Sequence, residues 1–210
     1  MALSDKQIEI VKIAEELFSQ KGIEGTSIRD ISKAAGINVA MVNYYFGSKS
    51  ALVSALFEIR LTRIREKLAS ITSDANLNPM DKLIAFTEHM LTVQLQNAAF
   101  HIVLMGHLSK KDQEIIVSDA IRTLQLEILA ILGGFIKEGY QMGLFQTQPD
   151  PIALLVFTQG IISYVIQHER SLSLYWGAEN HEDYSLYIKQ QIYPYLVQSF
   201  KSILSYNEQK

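Results

Sequence analysis

Between Thr26 and Lys49 the chain reads TSIRDISKAAGINVAMVNYYFGSK, and the residue types in this stretch suit contact with a nucleic-acid duplex. Small side chains at Val39 and Ala40 admit close approach to base edges. The carboxamide of Asn43 carries the donor and acceptor that match adenine, and the hydroxyls of Tyr44 and Tyr45 can bond phosphate oxygens. Arg29, Lys33 and Lys49 outnumber Asp30 here, a local positive excess in a chain whose formal net charge is −3. On these residues alone a second reading stays open: Tyr44 and Tyr45 also fit a core, and the charges also fit an ordinary solvated face.

Other chemistry finds less support. Five histidines are present, and His89, His101 and His107 fall on two neighbouring predicted helices. No HExxH pair occurs and no His–acid spacing matches a known ligand set, so these residues read as histidines lining a cavity or hydrogen-bonded inside a helical domain. Gly133–Gly134 and Gly139 lack the strand and the GK[ST] of a phosphate loop, and there is no GxSxG elbow. With no cysteine there is neither a thiol nucleophile nor a disulfide. An enzyme using the histidines is the weakest hypothesis, and no cofactor or metal is expected.

The elements that must position the first set are short helices. Ile28, Ile31, Ala34 and Ala35 have one-face helical spacing, and Ser27 with Asp30 three residues on forms a capping box. Gly36 stands where a helix ends in the left-handed conformation, Ile37 buries after it, and Asn38 caps a second helix from about Val39 to Tyr45. Gly47 and Ser48 break that helix, and Ser48 caps a third. Upstream, Ser4 to Gln20 is amphipathic through Ile10, Val11, Ala14, Leu17 and Phe18, and Gly22 stops it. Phe18, Ile28, Ile31, Val42 and Phe46 form the predicted core of this head. Two short helices across a glycine turn make a helix-turn-helix, although such turns also occur in ordinary bundles.

The segment GTSIRDISKAAGINVAMVNYYFGSK resembles the DNA-binding signature of the TetR family of bacterial repressors. The resemblance covers roughly the first quarter of the chain. Downstream, only length and helical pattern are similar. It implies a three-helix DNA-binding domain over residues 1–48 and a helical dimerisation and effector-binding domain over residues 49–210. It places Tyr44 and Tyr45 at the phosphate backbone and Lys49 against DNA, although a cation in a helix's first turn opposes the macrodipole. Val39, Ala40 and Asn43 match positions that touch bases, and Arg29 matches one that sometimes does. Thr26 or Ser27 is expected to add a phosphate contact. Family members often carry an acid just after the lysine, where this chain has Ser50 and Ala51.

The remaining chain continues the helical pattern. One long helix is predicted from Ser48 to about Ser73, with no Pro/Gly-rich linker. Further helices are predicted from Asn78 to Leu95, Ala98 to Leu108, Ser109 to about Met142 with a break near Ser118, Asp150 to His168 and Tyr184 to Tyr206. Gly133 and Gly134 are expected at a close helix contact, Ser171 to Asp183 is read as a loop, and Pro194 should kink or break the last helix. No strand alternation appears, and the fold class is all-α.

Phe86, His89, Met90, Phe100, His101, Met105, Phe135, Gln159 and Tyr164 interrupt apolar faces. They read as packed core with a few satisfied polar groups. The resemblance instead implies an effector cavity among them, suited to a small hydrophobic molecule. A two-fold interface is expected from Leu155, Val156, Gln159, Ile162 and Ile166 with Ile188, Ile192, Tyr195, Leu196 and Phe200. A composition of 48% hydrophobic and 20% charged residues is ordinary for a globular protein. The first residues lack a signal-peptide pattern and Ile152–Ile166 is too short to span a bilayer, so a cytoplasmic location without membrane contact is expected. The reading is a homodimeric, ligand-responsive repressor that binds a double-stranded operator. The rival is a helical small-molecule-binding or interaction protein that does not bind DNA.

Overall fold

The computed structural model describes residues 3–108 and 115–207, and among them there are helices and turns but no strand. The order is α1 (Asp5–Lys21), α2 (Ile28–Ala34), α3 (Val39–Phe46), α4 (Lys49–Ser73), α5 (Pro79–Gln96), α6 (Ala98–Leu108), α7 (Ile115–Gln141), α8 (Pro151–Gln167), α9 (Glu169–Trp176), α10 (His181–Tyr187) and α11 (Tyr193–Ile203). The all-α class is therefore observed. The expected helix start at Ser109 and Asp112 lies outside the described residues, as do the side chains of His107 and Ser118.

By compactness the chain forms two units. One comprises Met1–Glu66 and Asn97–Leu124, the other Lys67–Gln96 and Gln125–Lys210. This grouping differs from a division after residue 48. In the first unit α6 packs on α1, and Arg60 of α4 reaches Glu15 of α1, its guanidinium nitrogens donating to both carboxylate oxygens at 2.7–3.0 Å. Arg60 also donates to the Asn97 carboxamide oxygen at the start of α6 and lies over the Phe100 ring. Phe100 meets Phe57 edge-on.

The head is built by local signals that agree with one another. Ser4 and Gln7 close a capping box on α1, and Ser27 and Asp30 close one on α2. The Asn38 side chain accepts from the Met41 amide to start α3, and Ser48 accepts from the Ala51 amide to start α4. Gly36 turns between α2 and α3 at φ 64°, where a side chain would be strained. Ile10, Ala14, Phe18, Ile31, Val42, Leu52 and Leu56 are buried. Ile28, Ile37 and Phe46, expected inside, are half-buried, and Ala34 is exposed, because a seven-residue α2 has room for little more than Ile31 and Ser32 beneath it.

In the second unit Leu83, Phe86, Leu91, Leu95, Leu132, Phe135, Leu154, Ile162, Tyr184, Ile188, Leu196 and Phe200 are buried. One expectation is corrected here and another in part. Ser171 to Asp183 is not a loop, since α9 and the start of α10 occupy most of it. Trp176 stacks on Tyr187 at 4.2 Å and on Tyr184 at 5.8 Å, and His181 bonds Glu169 at 2.7 Å. These long-range contacts hold a segment whose own helical pattern is weak. The last helical run is interrupted near Pro194, as expected: a π-helical turn over Ile188–Ile192 separates α10 from α11, which starts with Pro194 in its first turn, and the wider turn absorbs the loss of the hydrogen bond that proline cannot donate. Of the glycine pair only Gly133 stands at a helix contact, where an added Cβ would sit 3.4 Å from Pro151 of α8, and a tighter approach occurs at Gly139, 2.2 Å from the Phe145 ring. A Cβ on Gly134 would meet nothing within 4 Å. Among the described residues no single helix is long and apolar enough to cross a membrane. Pro151–Gln167 and Glu169–Trp176 pass that test only together and are bent by 78°.

Candidate nucleic-acid interface

Two short helices set the geometry of the first site. α2 is anchored by Ile31 and Ser32, and α3 by Val42, which is fully buried. With Val42 pointing inward, the rest of α3 faces out: Ala40, Met41, Asn43 and Tyr44 are exposed, and Val39 and Tyr45 are half-buried. Tyr44 is 85% exposed and meets the Tyr45 ring edge-on. An 85% exposed tyrosine does no core work, which removes the core alternative for this residue. Tyr45 is held from behind, because the Gln7 carboxamide donates to its carbonyl at 3.2 Å.

Around α3 stand the cations. Arg29 is exposed on α2, and Lys49 is half-exposed at the first position of α4. Asp30 is occupied by Ser27, whose backbone amide donates to it at 2.8 Å and whose hydroxyl donates at 2.6 Å. These bonds hold its carboxyl below the usual carboxylate range, the side-chain hydrogen bond being the larger cause. The one acid of the stretch is thus spent on the α2 cap. Lys49 stands first in its helix even without a following acid, since Ser48 supplies the cap.

Thr26 is a correction. It is 1% exposed, and its hydroxyl lies against the Gly22 and Leu17 carbonyls at 2.9 and 3.3 Å. It ties the end of α1 to the start of α2 and does not present its side chain outward. Ser27 beside it is exposed. The bland requirement that a buried hydroxyl find a carbonyl is what placed Thr26 inward.

The family model for "Bacterial regulatory proteins, tetR family" matches residues 10–56, which run from α1 into α4 and include every residue of this surface. Over 56 residues the chain is 46% identical to a probable HTH-type transcriptional regulator, YttP, of Bacillus subtilis, covering 27% of each chain. It is 30% identical over 121 residues to the HTH-type transcriptional regulator AcrR of Shigella flexneri, covering 56% of each. Residues 10–56 thus carry the DNA-binding domain of the TetR family. The matches span about a quarter and somewhat over half of these two relatives' own length. A solved structure extends the likeness further: the transcriptional regulator FadR of Bacillus subtilis, determined in complex with stearoyl-CoA, superposes with a TM-score of 0.65 at 19% identity over 90% of this chain and 97% of that one. At that identity the likeness concerns the fold alone.

The nine residues read as a TetR-like effector set do not fall in one compact unit. Phe100, His101 and Met105 belong to the first, and Phe86, His89, Met90, Phe135, Gln159 and Tyr164 to the second. Phe86, Met90, Phe100 and Phe135 are buried. Tyr164 is corrected: it is 57% exposed on α8 and stacks on His168 at 4.1 Å, so it lines no interior of this chain. Gln159 accepts from the Gln94 carboxamide at 3.1 Å, while the Gln94 oxygen is buried without a partner. Gln94 carried no sequence signal, being one glutamine on an apolar face. His89 and His101 each hold a buried Nε2 without a partner, and burial pushes both imidazoles below the usual value of 6.5, with Lys67 adding to the effect at His89. Lys82 is a further residue that the sequence pattern did not mark. It is 9% exposed and faces Phe135 and Glu138.

Proposed function

We propose that the chain is a DNA-binding transcriptional regulator, a ligand-responsive homodimeric repressor, whose α3 enters a major groove of its operator. The observation that carries this reading is α3 itself. A single inward residue, Val42, leaves a full face of small side chains, one carboxamide and two tyrosines outside, flanked by Arg29 and Lys49 with the neighbouring acid already bonded. Val39, Ala40 and Asn43 serve as the base-reading set. Ser27, Tyr44, Tyr45 and Lys49 hold phosphates, and Arg29 contributes from α2. In functional terms residues 1–48 are the reading head, and residues 49–210 carry assembly and effector response. A helical binding protein without DNA has no use for such a face.

Assembly is proposed through α8 and α11, with a different register from the expected one. Ile162, Ile166, Ile188, Leu196 and Phe200 are spent on the chain's own core. The outward stripe on α8 is instead Ile152, Val156, Gly160 and Tyr164, four residues apart and all exposed, with Tyr195 outward on α11. A Cβ on Gly160 would meet nothing within 4 Å, which leaves room for a partner helix to approach. Two heads so joined would meet half-sites one helical turn apart or a multiple of it. FadR of Bacillus subtilis binds stearoyl-CoA in its solved complex, and the effector here is proposed to be a small hydrophobic molecule.

The test is retention of genomic DNA fragments by the purified protein, followed by titration of a retained fragment against salt. A regulator retains a small set of fragments and loses affinity linearly in log[salt]. A protein that retains none is the rival, a binding module without DNA.

A further inference from the structure

The second unit has a solvent-open cavity of about 400 Å³ between the end of α4, the start of α5 and the C-terminal half of α7, within the range of about 300–1,000 Å³ usual for small-molecule sites. Its walls are apolar at Ala130, Ile131 and Phe135, and Gly134 leaves one side open. One cation, Lys82, stands in it with its side chain 11% exposed. The ammonium sits 5.8 Å from the centre of the Phe135 ring, and its nearest carboxylate oxygen, on Glu138, is 3.7 Å away, at ion-pair but not hydrogen-bond distance. Glu138 is itself 48% exposed and free to swing into water.

A long ion pair to Glu138 and the face of the Phe135 ring are the contacts that hold this ammonium, and its three donors stay open to a further acceptor. Lys82 lies in the first turn of α5, where a cation opposes the helix dipole. Gly134 costs about 1 kcal/mol in a helix interior relative to alanine, with no close neighbour to require it. Both departures become intelligible if the cavity is occupied.

We propose that this cavity binds a small amphipathic carboxylate. The carboxylate takes the Lys82 ammonium in charge-assisted hydrogen bonds, displacing Glu138 toward solvent, and the hydrocarbon lies along Ile131 and Phe135 in the space that Gly134 leaves. The site deepens the effector part of the function proposed above, and it is independent of DNA recognition.

The experiment is calorimetric titration of the full chain with octanoate, with 1-octanol as the uncharged control and affinity for a retained DNA fragment measured in parallel. Octanoate should bind saturably and at least tenfold more tightly than 1-octanol. Lys82→Gln should lower octanoate affinity at least tenfold without changing that for 1-octanol. Glu138→Gln, which removes the competing carboxylate, should raise it. Gly134→Leu should fill the cavity and abolish binding while the thermal transition stays at or above that of the wild type. Octanoate binding unchanged in Lys82→Gln and Gly134→Leu, or no saturable binding by the wild type, overturns the site. Octanoate binding that follows these variants while DNA affinity stays constant keeps the site and removes its effector role. Loss of DNA binding in the unliganded wild type would instead contradict the regulator reading.

Discussion

Lys49 and Asn43 stand close together in sequence, yet their contributions should differ in kind. Lys49 offers a point charge to phosphate, so Lys49→Ala should weaken binding to every sequence and reduce the slope of log K against log[salt] by about 1. Asn43 offers a bidentate amide, so Asn43→Ala should cost about 1–3 kcal/mol at one base pair and little elsewhere. Competition titrations with single-base operator variants separate the two. At this scale the sequence was informative wherever a residue's role is set by its position on a helix face: Tyr44, Asn43 and Ala40 are outside, as their spacing from Val42 requires. It was uninformative for Thr26, whose side chain answers to the Leu17 and Gly22 carbonyls, groups no sequence pattern displays. His101 adds a pH dependence. Its folded imidazole titrates below 6.5 because burial disfavours the cation, so the unfolded chain takes up the proton first as pH falls. Stability should be full above about pH 6.5 and decline below it, until the lowered folded value is reached. His101→Met should remove part of that decline in thermal melts taken between pH 7.5 and pH 5, and a decline of unchanged depth would deny the residue this role.

Among the elements, α1, α4 and α6 are joined through Arg60. The Glu15 side chain is 7% exposed and that of Arg60 16%, so removing one partner leaves a charge stranded. Arg60→Met should cost about 3–5 kcal/mol in urea unfolding, whereas Glu15→Leu combined with Arg60→Met should recover most of the loss. The double variant also shows whether the pair serves the first unit's stability alone. Helix starts were legible throughout the head because Ser4, Ser27, Asn38 and Ser48 each carry their own cap. Ser171 to Asp183 was not, because α9 owes its helix to Trp176 stacking on α10 and to the His181–Glu169 bond. The π-helical turn before Pro194 was equally hidden. A proline announces the missing donor and says nothing of how the preceding turn absorbs it.

At the scale of the molecule, two features depend on which residues the chain's own core consumes. The apolar content of α8 and α11 was plain in the sequence, but the half spent internally could not be told from the half left over. Ile162, Leu196 and Phe200 are inside, while Ile152, Val156 and Tyr195 remain outside. Val156→Glu should therefore give a monomer in sedimentation at micromolar concentration while leaving the fold intact, and DNA affinity should fall with it because one half-site is lost. An unchanged dimer would remove α8's outer stripe from the interface. The cavity beside Lys82 was likewise invisible, since Gly134 inside a helix reads in the sequence as a close helix contact and shows its empty space only in the structure. Whether α3 reads DNA is decided most directly by equilibrium binding of a retained genomic fragment by the wild type and Asn43→Ala across a salt series. An α3 that reads bases gives parallel linear losses in log[salt], with Asn43→Ala displaced to weaker affinity at every salt concentration on the retained fragment and coincident with the wild type on random DNA. Coincident lines on both DNAs, or binding indifferent to salt, would contradict it.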